Sequence, residues 1–121
     1  IVSRDWSSDV CSSDLIEVIA QVARYHRKGL PKDDHPEFAR LGDADKHRVE
    51  LLAGILRLAV GLDRTQDGRV KKIKTVVTDD EVQISFAPSK KLDNELNVYS
   101  AMERRSLLER VMNRKVRVST D

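Results

Sequence analysis

Residues 51–64 read LLAGILRLAVGLDR, and their pattern predicts a helix of the hydrophobic core. Its apolar residues recur with the period of an α-helix, and between residues 49 and 62 only Glu50 and Arg57 are charged. A helix that is apolar almost all round belongs in a hydrophobic core. Gly54 and Gly61 lower helix propensity by about 1 kcal/mol each relative to alanine, so we expect a neighbouring helix to pack closely there. The main apolar stripe comprises Val49, Leu52, Ala53, Leu56, Ala59 and Val60, and a second stripe comprises Leu51, Ile55, Leu58 and Leu62.

Another helix precedes this one. Its apolar residues show the same period, and we expect it to be largely buried and to end near Gly29, before Pro31. Asp43 is the predicted N-cap of the following helix. The predicted inner stripe of the first helix is Ile16, Ile19, Ala20 and Ala23, widened by Val18, Val22 and Tyr25.

Beyond residue 68 the period changes. Residues 70–77 and 81–86 are predicted strands that form a hairpin, since β-branched residues fill the first and apolar residues alternate in the second. Residues 93–112 return to a helical pattern, and 115–119 alternate again. The predicted class is α+β, with buried helices over 16–64 and a small antiparallel β-β-α-β unit over 69–121. The expected inner face of the last helix is Leu96, Tyr99, Met102, Leu108, Val111 and Met112.

Residues 1–15 differ from the rest of the chain. They read IVSRDWSSDVCSSDL, repeat Ser-Ser-Asp, and hold the chain's single Trp and single Cys. This stretch resembles the conceptual translation of a sequencing adaptor, and we expect it to be a non-native extension. The predicted domains are then a helical region over 16–68 and the β-β-α-β unit over 69–121.

Composition limits the function. The chain has 121 residues, about one domain, with 40% hydrophobic and 35% charged residues. No stretch is apolar for long enough to span a membrane, and no signal peptide is expected. Beyond residue 15 there is no cysteine, which excludes thiol catalysis and Cys-bound zinc and fits a cytoplasmic protein. The same residues carry 21 basic and 17 acidic side chains.

The basic run at the end of the first helix is a candidate anion site. It comprises Arg24, His26, Arg27 and Lys28, and arginine offers a planar fork that matches phosphate oxygens. Tyr25 within the run can pack inward and hold the helix in place. The alternative is a solvated helix end, where cations complement the helix dipole.

Two other groups of residues have side chains that could support chemistry. His26, His35, His47 and Asp63 are potential metal ligands, but the chain lacks a His-Asp dipeptide, and we expect neither a metal site nor a catalytic residue. The run Arg69, Lys71, Lys72 and Lys74 is either an edge strand protected by lysines or a polyanion groove. Because aromatic residues are scarce, we do not expect nucleic acid as the partner.

Two phrases point to a family. ARYHRKGLP at 23–31, followed by HPEF at 35–38, and LLAGILRLAVGLDR at 51–64 resemble the C-terminal HD-like region of the exopolyphosphatase/guanosine pentaphosphate phosphatase family. The resemblance covers 16–121 and is strongest over 23–64. It implies a multi-domain parent whose actin-like domains use a divalent cation, usually Mg²⁺, to remove terminal phosphates from inorganic polyphosphate or guanosine pentaphosphate. We expect the chain to be truncated upstream.

The resemblance further implies the role of this region. It implies a homodimer that binds inorganic polyphosphate or guanosine pentaphosphate without catalysis or a cofactor of its own. We expect this chain alone to be inactive because the catalytic domains are missing from it. The alternatives are a remnant of a metal-dependent HD phosphohydrolase and a small basic nucleic-acid-binding module. The polyphosphate-binding residues carried over are Arg24, His26, Arg27 and Lys28, with Arg57 and Arg64 as weaker candidates.

Overall fold

The computed structural model describes residues 12–27, 29–88 and 93–121. Helices come first in the chain and a small three-stranded sheet follows, with two further helices before its last strand, which confirms the α+β class. The chain divides between Ala53 and Gly54 into two units, which are described separately below. The elements are α1 (Ser12–Tyr25), α2 (Pro36–Ala39), α3 (Asp43–Leu62), β1 (Lys71–Val77), β2 (Glu81–Ala87), α4 (Glu95–Glu103), α5 (Ser106–Met112) and β3 (Lys115–Thr120).

In the first unit, α1 buries the side that carries Tyr25. Val18 and Gln21 are buried on this side, whereas Ile16 and Ile19 are 65% and 59% exposed. The predicted main stripe is therefore wrong, whereas Val18 and Tyr25, which were predicted to widen it, are buried. Both sides of α1 are apolar, so periodicity could not choose between them, and the aromatic contacts of Tyr25 select the buried side.

The boundaries of α1 and α3 differ slightly from the prediction. Helix α1 begins at Ser12, before the predicted boundary at Ile16, and residues 1–11 lie outside the described residues. The boundary of the proposed extension therefore stays a prediction. Asp43 is the first helical residue of α3 rather than its N-cap, because the amide of Lys46 bonds to the carbonyl of Gly42.

Helix α3 is buried along only part of its circumference. Val49, Ala53, Leu58 and Leu62 are in the core, as predicted. Four residues that were also predicted to be buried are between 37% and 47% exposed, so the expectation of burial all round is wrong. Within the described residues, this side of α3 is therefore only partly covered. The exposed residues are Leu52, Ile55, Leu56 and Val60.

The second unit contains a three-stranded sheet in the order β1-β2-β3. Strands β1 and β2 form the predicted antiparallel hairpin, with Val77 opposite Val82. Strands β2 and β3 are parallel, with Val82 opposite Val116, so the sheet is mixed and the prediction of an antiparallel unit is wrong for this pair. Helices α4 and α5 form the crossover connection between β2 and β3. They return the chain to the end of the sheet where β2 starts, and β3 therefore runs in the same direction as β2. Phe86 is fully buried in the core.

The predicted helix over 93–112 is two helices, which are interrupted at Arg104 and Arg105. Leu108 is buried as predicted, but Leu96 and Tyr99 are exposed. The inner side of α4 carries small or polar side chains, because α3 approaches α4 too closely for large side chains to fit between the two helices. The buried residues of α4 are Asn97, Ser100 and Ala101.

The close approach occurs at the two glycines of α3, as predicted. A Cβ added to Gly61 would lie 2.8 Å from Ala101 Cα, and one added to Gly54 would lie 3.0 Å from Leu108 Cα. The Asn97 side-chain amide donates a 2.8 Å hydrogen bond to the carbonyl of Leu62. Glycine packing and a buried hydrogen bond thus join the second half of α3 to α4 and α5.

Candidate anion-binding site

Tyr25 anchors the basic end of α1. Its side chain is 2% exposed, and its hydroxyl shares a 2.5 Å hydrogen bond with His35 Nδ1. The two rings stack with centroids 5.7 Å apart, and Phe38 meets the tyrosine ring edge-on at 6.1 Å. The predicted inward packing of Tyr25 is confirmed. This packing gives a fixed base to the cations on either side of it.

Burial sets the protonation of this anchor. Desolvation raises the pKa of Tyr25 above its ordinary value, the positive charge of Arg24 opposes the shift, and Glu37 and Asp34 add to it. The phenol is therefore protonated at neutral pH. Tyr25 acts as a neutral packing group beside the cations and has the wrong protonation state for a nucleophile.

Arg24 is oriented but remains accessible. Its guanidinium lies 5.1 Å from the centre of the Tyr25 ring, and its Nη1 lies 3.5 Å from Glu37 Oε2. About half of each charged side chain is open to solvent. The Glu37 pKa is lowered, first by a backbone hydrogen bond and then, more weakly, by Arg24 and Arg40. An exposed ion pair of this kind contributes little to stability.

The other predicted cations follow in the turn after α1. Arg27 is exposed, and within residues 12–27, 29–88 and 93–121 it forms no ion pair. His26 Nδ1 donates a 2.7 Å hydrogen bond to the carbonyl of Ala23, which fixes its ring beside the helix end. Lys28 lies outside the described residues. The structure thus brings Arg24, His26 and Arg27 to one helix end.

Arg57 and Arg64 belong to the second unit. Arg64 is exposed beyond the end of α3. Arg57 lies within α3 and is half-buried; burial is the largest influence that lowers its pKa, followed by the charges of Arg104 and Arg110. The charges of Arg104 and Arg110 thus influence Arg57 from other parts of the second unit. The basic character of residues 104 and 110 was visible in the sequence, but their proximity to Arg57 depends on tertiary packing.

The potential metal ligands do not come together. Within the described ranges, no three His, Cys, Asp or Glu side chains are arranged to hold a metal ion. His35 is engaged with Tyr25 through Nδ1, and its Nε2 lies 3.9 Å from Asp34 Oδ1.

The basic strand β1 lies at the edge of the sheet, as predicted, and is exposed over its whole length. Lys74 lies 4.0 Å from Asp121, and Arg69 hydrogen-bonds to Asp67. Lysines on an edge strand hinder pairing with other strands, which is the simpler of the two interpretations of this run. The alternative of a polyanion groove stays untested.

The described chain has an α+β fold, and a basic helix end is built on a buried tyrosine. None of its helices, within the part that the structure describes, has the length and apolar character needed to cross a membrane. The model of the family Ppx/GppA phosphatase, domain III, matches residues 12–106. The chain belongs to the Ppx/GppA phosphatase family, which confirms the resemblance found in the sequence. The search of curated proteins found no match.

Proposed function

We propose that this chain is the polyanion-binding and dimerisation region of a Ppx/GppA phosphatase. Its role is to hold inorganic polyphosphate or guanosine pentaphosphate while other domains of the parent, with Mg²⁺, hydrolyse the terminal phosphate. Membership of the phosphatase family supports a phosphorylated substrate. In this proposal the chain itself supplies binding and no catalytic group. The proposed location is the cytoplasm, with which the lack of cysteine over residues 16–121 is compatible.

The observation that carries this proposal is the basic helix end on its buried anchor. Tyr25 is fixed by His35 and Phe38, so the backbone that carries Arg24 and Arg27 is ordered before a ligand arrives. Binding to a preorganised site loses less conformational entropy. Each guanidinium can bind two phosphate oxygens at once. The arrangement therefore suits a chain of phosphates better than a single weakly charged group.

Polyphosphate is a linear polyanion without bases, so electrostatics dominates its affinity. Each cation that contacts a phosphate releases a condensed counterion, and the affinity falls as salt rises. No base has to be read, which agrees with an aromatic content of only 4%. Nothing in the described residues favours nucleic-acid binding or metal-dependent hydrolysis over this function.

Dimerisation is supported by the partly exposed apolar side of α3. Leu52, Ile55, Leu56 and Val60 are spaced to form a continuous stripe along one side of the helix. An exposed stripe of this kind is typical of a protein–protein contact. We expect Ile55→Glu to convert the dimer to a monomer in light scattering, while the exposed control Lys72→Glu leaves the dimer intact. A monomer in both the wild type and the variant would contradict this part of the proposal.

Polyphosphate binding is tested by neutralising the basic helix end. The full chain is titrated with long-chain polyphosphate as wild type, as Arg24→Gln/Arg27→Gln, and as the matched control Lys71→Gln/Lys72→Gln. Both pairs remove two positive charges, so a difference between them reports position rather than net charge. We expect the arginine pair to weaken binding by at least about tenfold, since charge-assisted contacts to phosphate are strong, and the lysine pair to change it much less.

Circular dichroism establishes that each variant is folded. Equal losses of affinity in the two pairs would show that binding follows net charge, which would overturn the assignment to the end of α1. Unchanged binding in the arginine pair would overturn it as well.

A further inference from the structure

The outer edge of strand β3 carries backbone groups that the sheet does not use. Strand β3 lies at one edge of the sheet and pairs with β2 on one side only. The amide of Lys115 donates a hydrogen bond to the carbonyl of Asp80. At the other end of the strand, the amide of Asp121 donates one to the carbonyl of Phe86. The odd-numbered residues of β3 therefore face β2, and the even-numbered residues face outward.

Part of this outer edge is open. Val116 occupies the first outward position, and its amide donates a 2.9 Å hydrogen bond to Glu109 Oε2. The next two outward positions are Val118 and Thr120. In the part of the chain that the structure describes, no hydrogen bond reaches the amides of these two residues from outside the sheet. Their N–H and C=O groups are therefore arranged to pair with a further strand.

The two edges of the sheet differ in how they resist such pairing. Strand β1, at the other edge, carries Lys72 and Lys74, whose charges hinder the approach of another strand. From Val118 to Thr120, β3 carries no charged side chain, and Ser119 is small, polar and exposed. The edge of β3 is therefore the better suited of the two to accept a strand.

An apolar groove runs beside the open part of this edge. The residues from Val118 to Thr120 form one wall, and α4 forms the other with Val98, Tyr99 and Met102. Tyr99 is 64% exposed although it is large and aromatic, so it offers an apolar surface next to the strand. An apolar side chain of an added strand would fit against this wall.

The groove is acidic where α4 begins. Asp93 and Glu95 line it and are exposed. Asp93 Oδ1 accepts a 2.9 Å hydrogen bond from the amide of Glu95. Within residues 12–27, 29–88 and 93–121, the Glu95 carboxylate forms no ion pair. The charge of the groove thus favours a basic side chain in its occupant over an acidic one.

We propose that the open edge of β3 and this groove bind an extended segment of another protein, which adds to the sheet as a fourth strand. Its backbone pairs with Val118 and Thr120, and one apolar side chain contacts Tyr99. Two residues away, on the same side of the added strand, a Lys or Arg lies near Glu95. The partner is thus recognised by an apolar and a basic residue at alternate positions. This surface does not depend on the proposed function.

The test uses two fluorescent peptides, TKVLVT and TLVKVT, which place the basic and the apolar residue on one side of a strand in the two possible orders. Binding to the full chain is followed by fluorescence anisotropy. We expect saturable binding of at least one peptide, and at least about a tenfold loss of affinity when its Lys is replaced by Glu. Absence of saturable binding by both peptides up to about 1 mM would overturn the proposal.

Thr120→Pro tests the backbone pairing. The Thr120 amide faces outward, so proline removes a donor from the open edge and leaves the pairing with β2 intact. The matched control is Thr75→Pro at the opposite edge. The amide of Thr78 bonds to the carbonyl of Glu81, so even-numbered residues of β1 face β2 and Thr75 also faces outward. We expect at least about a tenfold loss of affinity in Thr120→Pro and little change in Thr75→Pro. Equal binding by Thr120→Pro and the wild type would overturn the proposal.

Tyr99→Ala tests the groove, with Leu96→Ala as its control. Both side chains are exposed on α4, but only Tyr99 lines the groove. We expect Tyr99→Ala to weaken peptide binding by at least about tenfold and Leu96→Ala to change it little. Equal effects of the two substitutions would overturn the place of the groove in binding. Because both residues are exposed, this comparison decides the matter even if Thr120→Pro does not fold.

Hydrogen exchange separates a peptide from a second copy of this chain. Bound peptide should slow exchange at the amides of Val118 and Thr120 and leave the Thr75 amide unchanged. Circular dichroism establishes that each variant is folded. If these two amides are already protected without peptide, and Thr120→Pro lowers the mass of the protein in light scattering, a second copy occupies the edge and the proposal is overturned.

Discussion

The replacement Gly61→Ala tests how α3 packs on α4. The added Cβ would lie 2.7 Å from Ser100 O, 2.8 Å from Ala101 Cα and 2.9 Å from Ala101 N, whereas ordinary contacts of a Cβ lie between 3.4 and 4 Å. All three atoms belong to the backbone of α4, so no side chain can rotate away. Helix α4 has to move away from α3, and the buried hydrogen bond from Asn97 to Leu62 has to lengthen.

The expected cost follows from two opposing effects. Overpacking a well-packed contact costs about 1–3 kcal/mol, while alanine regains about 1 kcal/mol of helix propensity. Because the obstacle is backbone and a buried hydrogen bond is disturbed, we expect a net loss of about 2 kcal/mol in the free energy of unfolding. For a domain of this size that corresponds to a melting temperature lower by about 10 °C.

The measurement is urea and thermal unfolding followed by circular dichroism, with Gly54→Ala as the comparison. At Gly54 the closest atoms lie 3.0 Å from the added Cβ, so α5 has to move less. The loss in the free energy of unfolding should therefore be smaller for Gly54→Ala than for Gly61→Ala. A Gly61→Ala protein as stable as the wild type, or less affected than Gly54→Ala, would refute the packing described for this helix pair.

Three further predictions concern other contacts. Tyr25→Phe removes the hydroxyl that forms a hydrogen bond with His35, and should lower the free energy of unfolding by about 1 kcal/mol in urea titrations. It should also weaken polyphosphate binding. Unchanged stability would contradict the role of Tyr25 as the anchor of this helix end. Asn97→Ala removes a buried hydrogen bond and should cost about 1–3 kcal/mol in the same assay, and a neutral result would contradict the contact. Hydrogen bonds from Arg69 and Thr65 lower the pKa of Asp67, so the stability that ionised Asp67 contributes is present above a pH of about 4 and is lost as the pH falls further. Asp67→Asn should therefore make the free energy of unfolding depend less on pH in this acidic range. The same acid dependence in the variant and the wild type would contradict this role of Asp67.

The local patterns of the chain predicted the elements well. Val82, Ile84 and Phe86 alternate with polar residues, and these three side chains are buried in β2. The glycines of α3 indicated a close neighbour, and α4 and α5 fill that place. Signals of this kind succeed because period, turn residues and side-chain size act within a few residues along the chain.

The buried faces of the helices could not be predicted in the same way. Helices α1 and α3 are apolar on more than one side, and the pattern cannot tell which side the rest of the chain covers. In α4 the close approach of Gly61 favours Ser100 and Ala101 on the buried side. The sequence pattern had instead predicted that Tyr99 is buried, because it is large and apolar, but Tyr99 is exposed. The parallel pairing of β3 depends on how α4 and α5 carry the chain across the sheet.

The candidate site was predictable in part for similar reasons. The cations of the α1 end are adjacent in sequence, and Tyr25 packs inward as expected. The influence of Arg104 and Arg110 on Arg57 involves residues far apart in the sequence. An influence that depends on how distant helices pack leaves no local signal in the sequence, so only the structure shows it.

The most direct test of the central claim is the salt dependence of polyphosphate affinity. The full chain is titrated with long-chain polyphosphate over a series of salt concentrations, and the logarithm of the affinity is plotted against the logarithm of the salt concentration. We predict a steep linear decrease for the wild type and, for Arg24→Gln/Arg27→Gln, a slope smaller by about 2, since each lost phosphate contact removes about one unit. An affinity that does not depend on salt, or a slope that the arginine pair leaves unchanged, would contradict the claim that this basic helix end binds polyphosphate.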